Sequence, residues 1–213
     1  MHPSPWSQEL YINAYRFAAQ AHRWQRMPGT PLPYIMHLSF VAMEILAAVA
    51  QGASEPLLHT PAPRGAGAPT GTRDGVEPSF SADLAVQCAL LHDTLEDTRV
   101  RYDEVREQFG EAVAEGVLAL TLNRKLPKAE QMTECLGRIR QQAGEIWMVK
   151  LADRITNLQP PPPHWSKRRI QDYHRESQVI HEALKDASAF LAQRLRLKIG
   201  QYAAFGTPDG LQR

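Results

Sequence analysis

The stretch "LLHDTLEDT", residues 90–98, sets His92, Asp93, Glu96 and Asp97 directly behind apolar residues. Four such groups at the end of a buried helix need partners, because unpaired polar and charged groups are costly to desolvate. On one continuous helix the i,i+4 spacing pairs His92 with Glu96 and Asp93 with Asp97, while adjacent residues lie about 100° apart around the axis. Imidazole and carboxylate together suit a divalent metal with nitrogen and oxygen ligands. They equally suit a hydrogen-bonded core histidine and carboxylate caps for a following helix. Two other segments favour the metal. "YIMHLSF" presents His37 at the start of an apolar helix, and "VKLADRITNL" carries Asp153 beside Lys150, Arg154 and Asn157. A salt bridge from Asp153 to Arg154, with Asn157 as a cap, accounts for that last segment taken alone. Three separated segments are harder to account for in that way. Two His and two carboxylates would together satisfy a metal and leave coordination positions for water and substrate.

The elements that must position these groups are helical almost throughout. Leu10, Ala14, Phe17, Ala18 and Ala21 repeat at four and three, which predicts a first amphipathic helix. "LSFVAMEILAAVA" predicts a second, more buried helix, and "SADLAVQCALLHD" a third with Ser81 as N-cap. A short helix over "YDEVREQF" stops at Gly110, and "EAVAEGVLALTL", "KAEQMTECLGRIRQQ" and "EIWMVKLADRITNL" follow, the last ended by Pro160 to Pro163. A long final helix is expected from roughly Ser166 to Arg196, with apolar positions at Ile170, Tyr173, Val179, Ile180, Leu184 and Leu191. No alternating strand pattern competes with these. The fold expected is one all-α domain over 1–198, with a frayed tail, 199–213. Residues 51–80 hold five Pro and five Gly with few large apolar groups. They are expected to form a flexible surface insertion, with a lid over the site as the alternative.

Composition sets the outer bounds. The 213 residues are 43% hydrophobic and 22% charged, an ordinary globular balance. A formal net charge of +1 provides no global field for nucleic acid, so any anion site must be local. Two cysteines, Cys88 and Cys135, do not suggest a disulfide scaffold and fit a reducing compartment. The opening "MHPSPWSQEL" lacks the basic and apolar regions of a signal peptide, and "FVAMEILAAVA" is short for a membrane span and carries Glu44. A cytoplasmic protein with no membrane or nucleic-acid partner is the expectation.

The order H…HD…D is that of the HD phosphohydrolases. The segments "AHRWQR…YIMH", "ALLHDTLEDT" and "VKLADRITNL" closely resemble the hydrolase domain of the Rel/Spo alarmone family, above all its small single-domain hydrolases. The likeness runs from about Phe17 to Leu184, and "HDT-ED" with "KLADR-x-x-N" is its specific part. The resemblance implies an all-α HD helical bundle with metal ligands at His37, His92, Asp93 and Asp153. The metal it implies is Mn²⁺, with another divalent ion as the alternative. It also implies a catalytic acidic pair at Glu96 and Asp97 and a substrate-binding Asn157. "TLNRKLPK" resembles the family's basic phosphate-contacting segment, which suggests Arg124 and Lys128, with Lys125 less clearly matched. On the residues alone a solvated basic turn has equal weight. "HWSKRRIQDY" resembles the helix start that places Trp165, Arg169 and Tyr173 near the ligand. Arg and Lys suit pyrophosphate because they neutralise charge and offer several donors.

The implied activity is metal-assisted removal of the 3′-pyrophosphate from a small-molecule alarmone nucleotide, (p)ppGpp or (p)ppApp. The length leads us to expect a hydrolase without a synthetase domain rather than a bifunctional enzyme. Another HD-family nucleotide phosphohydrolase is the enzymatic alternative, and an alarmone sensor without catalysis the other. Three departures from the family pattern stand out. The Arg of "H-x-x-Q-x-R", which packs on the purine, falls by strict counting on Met27, leaving Arg26 or Arg23 to take its place. Leu38 stands where Pro usually follows the ligand His. The 51–80 segment enlarges one connection.

Overall fold

A computed structural model describes residues 5–52 and 80–206. The expectations for residues 53–79 and for the end of the tail lie outside the described residues. Among the described residues are ten α-helices, with a single isolated bridge between Arg26 and Pro33 in place of any strand. The helices are α1 (Gln8–Ala21), α2 (Ile35–Gly52), α3 (Ala82–Leu91), α4 (Thr94–Asp97) and α5 (Tyr102–Phe109). They continue with α6 (Glu111–Leu120), α7 (Lys128–Ile139), α8 (Gly144–Asn157), α9 (Lys167–Leu184) and α10 (Ala189–Tyr202).

The core forms where α2, α3 and α8 pack on one another, with α1 laid across α3 and α10 against α8 and α9. Leu38, Val41 and Ile45 of α2 meet Ala85, Cys88 and Ala89 of α3 and Val149, Leu151 and Ala152 of α8 in the buried core cluster. By length and composition α2 could cross a membrane. In this fold it is a central helix, apolar on most faces because neighbours cover them. Its one acid, Glu44, is buried in a bidentate pair with Arg194 of α10.

Capping sets where the site-bearing helices begin. Ser81 Oγ accepts from Leu84 N at 3.2 Å, as expected of an N-cap, and Ser81 N donates to Glu145 Oε1 at 2.6 Å. That second bond ties the start of α3 to the start of α8. Gly116 lets α6 approach this pair closely: a Cβ there would lie 2.5 Å from Ile146 Cδ1 and 2.9 Å from Cys88 Sγ.

Two expectations about the last helix are corrected. The single helix from Ser166 to Arg196 is two helices, because a 3-10 turn at Lys185–Ala187 ends α9 and Ser188 restarts the chain as an extended N-cap. Ser188 Oγ accepts from Leu191 N at 3.3 Å. Val179, on α9, is exposed, while beyond the break Leu191, Leu195 and Ile199 are buried. The chain also stays ordered beyond residue 199. Tyr202 is buried against Tyr173 and Phe205, and a 3-10 turn continues over Ala203–Gly206.

Candidate active site

The expected pairing of His92 with Glu96 along one helix does not form. Helix α3 ends at Leu91, Asp93 turns the chain with φ −98° and ψ −1°, and Thr94 Oγ1 donates back to Leu91 O at 2.6 Å. This break swings neighbours together instead of 100° apart. Asp93 Oδ2 lies 3.0 Å from His92 Nε2 and 3.6 Å from His37 Nε2. Glu96 and Asp97, one turn on in α4, face a different partner.

His37, in the first turn of α2, meets His92 with Nε2 atoms 3.4 Å apart. Asp153 of α8 brings Oδ1 to 3.4 Å from His37 Nε2 and 3.7 Å from His92 Nε2. The ligand atoms of His37, His92 and Asp153 all lie within 4.8 Å of one another, and the three side chains are buried. The donor set fits a divalent cation. Ligand bonds of about 2.1 Å put neighbouring donors about 3.0–3.4 Å apart, close to the separations found here.

Each of these groups is held by a further partner. His92 Nδ1 donates to Ala89 O at 2.9 Å, which leaves the Nε2 lone pair facing the cluster. Asp153 Oδ2 accepts from Lys150 Nζ at 3.0 Å, and its Oδ1 accepts from Asn157 Nδ2 at 2.5 Å. Tyr34 Oη donates to Asp93 Oδ2 at 2.6 Å. Burial alone would push both carboxylates up. The facing His92 nevertheless takes Asp93 down to about 2, and Lys150 with the two imidazoles holds Asp153 well below the usual range. Burial likewise disfavours a charged His92, but Asp93 and Asp153 outweigh it and hold its pKa well above the usual value.

Beside this cage is the acidic pair. Arg124, in the turn between α6 and α7, places Nη2 3.1 Å from both Glu96 Oε1 and Asp97 Oδ1. Glu96 Oε2 also accepts from Leu122 N at 2.8 Å. The Arg124 side chain is 66% exposed, so it can exchange partners at little desolvation cost. Lys128 begins α7 and is exposed, as is Lys125.

The remaining expected residues divide into two groups. Arg169 stacks over Trp165 at 4.1 Å, and Trp165 meets Tyr173 edge-on at 5.3 Å, forming one aromatic and cationic wall. Arg154 lies over Tyr173 at 4.2 Å and pairs with Glu176 at 2.6 Å, so it is not the partner of Asp153. Arg23 and Arg26 are exposed. Arg23 donates to Gln20 O, Arg26 sits in the bridge to Pro33, and Met27 beside it is half-buried. Sequence reasoning assigned no role to His22, Gln25, Tyr34 or Thr156. Gln25 Nε2 donates to Asp97 Oδ2 at 3.0 Å, and Thr156 Oγ1 lies 3.5 Å from His37 Nδ1. The signals available were a His-x-x-Gln at the end of α1 and a Tyr three residues before His37.

The buried His–His–Asp cluster sits on an all-α scaffold, and the comparisons with known proteins bear on that scaffold. Residues 76–189, more than half of the chain, match the HD domain family, and the chain belongs to that family. Among curated relatives, the guanosine-3′,5′-bis(diphosphate) 3′-pyrophosphohydrolase MESH1 of Danio rerio is 33% identical over 115 residues, covering 52% of this chain and 64% of that protein. The MESH1 protein of Xenopus tropicalis is 28% identical over 191 residues, 87% of this chain and 90% of that one. The fold matches a solved structure described as a metazoan ortholog of SpoT that hydrolyzes ppGpp, with a TM-score of 0.69 at 23% identity, over 94% of this chain and 97% of that one.

Proposed function

We propose that this protein is a divalent-metal-dependent hydrolase that removes the 3′-pyrophosphate from purine nucleoside 3′,5′-bis(diphosphates). The observation that carries this reading is the buried cage of His37, His92 and Asp153, with Asp93 at its edge, set beside an acidic pair that shares one exposed arginine. The similarity to the vertebrate 3′-pyrophosphohydrolases supports the substrate class. A binder without catalysis has no use for Glu96 and Asp97 beside a metal cage.

In this reading His37, His92, Asp93 and Asp153 would hold the ion, and Mn²⁺ would fit their mixed imidazole and carboxylate donors. A bound ion would supply Lewis-acid polarisation of a phosphoryl oxygen and ease deprotonation of water. Glu96 and Asp97 orient the attacking water and accept its proton. Water oxygen bonds to the phosphorus carried by O3′, the O3′–P bond breaks, and O3′ takes up a proton as pyrophosphate departs. Arg124 leaves the acidic pair for the phosphates, joined by Lys128 and Arg169, while Asn157, Trp165 and Tyr173 line the nucleotide side.

Base selection is the finer part of the proposal. By strict counting the Arg expected from the family resemblance to stack on the purine falls on Met27, a side chain able to lie against an aromatic ring but offering neither charge nor donor. Adenosine substrates are therefore hydrolysed at rates comparable to, or above, guanosine ones, unless Arg26 or Arg23 fills the place. The test is pyrophosphate release by metal-stripped protein after Mn²⁺ is added back, with guanosine and adenosine 3′-pyrophosphates side by side. Mn²⁺-dependent release from both is expected. Release from neither would overturn the assignment, and strict guanosine preference would overturn the base reading alone.

A further inference from the structure

We propose that Gln25 is a positioning residue that holds Asp97 in its working orientation through an amide whose direction is set by His22. Asp97 accepts two hydrogen bonds, Oδ1 from Arg124 and Oδ2 from Gln25 Nε2 at 3.0 Å. Arg124 is the exposed, exchangeable partner, and it is the one that an anionic substrate draws away. Gln25 is the contact that persists.

Its orientation is determined by donor and acceptor logic. An ionised carboxylate only accepts, so the Gln25 NH₂ faces Asp97 and its carbonyl faces the other way. The group it faces is His22 Nδ1, 2.6 Å from Gln25 Oε1, which must then carry the proton. His22 is 3% exposed and stacks on Tyr34 with ring centroids 5.1 Å apart and planes at 27°. Tyr34 in turn donates to Asp93, so one small unit reaches both acids.

The backbone around Gln25 is pinned on both sides. Gln25 N donates to His22 O at 2.9 Å, and Gln25 O accepts from Tyr34 N at 3.1 Å. Between them the turn closes through Met27 N to Leu32 O at 2.9 Å, with Gly29 at φ +75°, a conformation that glycine adopts without strain. A side chain anchored in this way presents its donor with little ordering left to do, which is the condition for positioning a reactive group.

The inference rests on the assignment of Asp97 to proton handling. Single-turnover pyrophosphate release by the Mn²⁺-loaded protein tests both, since it follows slow chemistry. Gln25→Met keeps length and removes the donor. Loss of a charge-assisted hydrogen bond should lower the rate about tenfold to hundredfold, with KM and bound Mn²⁺ unchanged. In an Asp97→Asn background the same change should cost nothing more, because Gln25 acts through the carboxylate. His22→Asn keeps a donor at the Nδ1 position and should retain most of the rate, whereas His22→Phe should match Gln25→Met. A wild-type rate for Gln25→Met, loss of Mn²⁺, or an equal further loss in the Asp97→Asn background would each overturn the proposal. A wild-type rate for Asp97→Asn itself would instead remove the role assigned to Asp97.

Discussion

The metal cage and the acidic mouth use similar residues in opposite ways. In the cage, His37, His92 and Asp153 are buried, and both His92 and Asp153 make further bonds inside the protein. At the mouth, Glu96 and Asp97 share one guanidinium that is two-thirds exposed. Buried charge is tolerated only where several partners hold it, so the cage is over-determined by Lys150, Asn157 and Tyr34. The mouth can exchange partners, and under the proposed function the substrate phosphates would draw Arg124 from the acids. Under the proposed function one region would fix an ion and the other would handle protons, and substitutions should separate them.

The largest expected effect is in the cage. Asp153→Ala should lose bound metal and activity together, while circular dichroism shows the helical fold retained. A folded variant with full metal content and unchanged turnover would remove Asp153 from the ligand set. Next come Glu96→Gln and Asp97→Asn, which keep shape and lose charge. Metal should remain bound while kcat drops about 10²–10⁴-fold, the usual contribution of general acid–base groups. Near-normal kcat in both would make the pair structural. Arg124→Met should act mainly on substrate binding, raising KM about tenfold to hundredfold as a charge-assisted phosphate contact is lost. An unchanged KM would show that Arg124 stays with the acids when substrate binds.

This division was only partly legible in the sequence. The all-α class followed from apolar periodicity. His37, His92 and Asp153 were legible because His and Asp set into apolar helices must be paired or ligated once buried. The break after Leu91 was not. Spacing rules assume one continuous helix, and a Thr94 side chain bonding back to Leu91 O is a local choice that periodicity does not register. Ser188 restarting a helix was missed for the same reason, and with it the packing of Tyr202. Gln25 and Asp97 are 72 residues apart, so their contact exists only through the fold.

A pH experiment separates proton from metal in the cage. The folded pKa of His92 is raised, so in metal-free protein its stabilisation is complete below the unfolded value of about 6.5 and is lost as pH rises through the folded value. Above about pH 6.5 the lowered Asp93 and Asp153 are ionised in both folded and unfolded states and add no slope. The Tm of metal-free protein should therefore fall as pH rises in that window, while Mn²⁺ affinity rises because the proton must leave before the ion binds. Metal affinity independent of pH would remove His92 as a ligand. The smallest expected effect is at the base. Met27→Arg should shift kcat/KM toward guanosine by a few-fold, about 1 kcal/mol for one added hydrogen bond. An unmoved ratio would assign the contact to Arg26 or Arg23.

The most direct test of a single catalytic ion is a Mn²⁺ titration of stripped protein with binding and pyrophosphate release followed together. Saturation at one ion per chain is expected, with activity rising in step and Asp153→Ala binding none. Full turnover in the presence of chelator, or saturation of binding without activity, would contradict it.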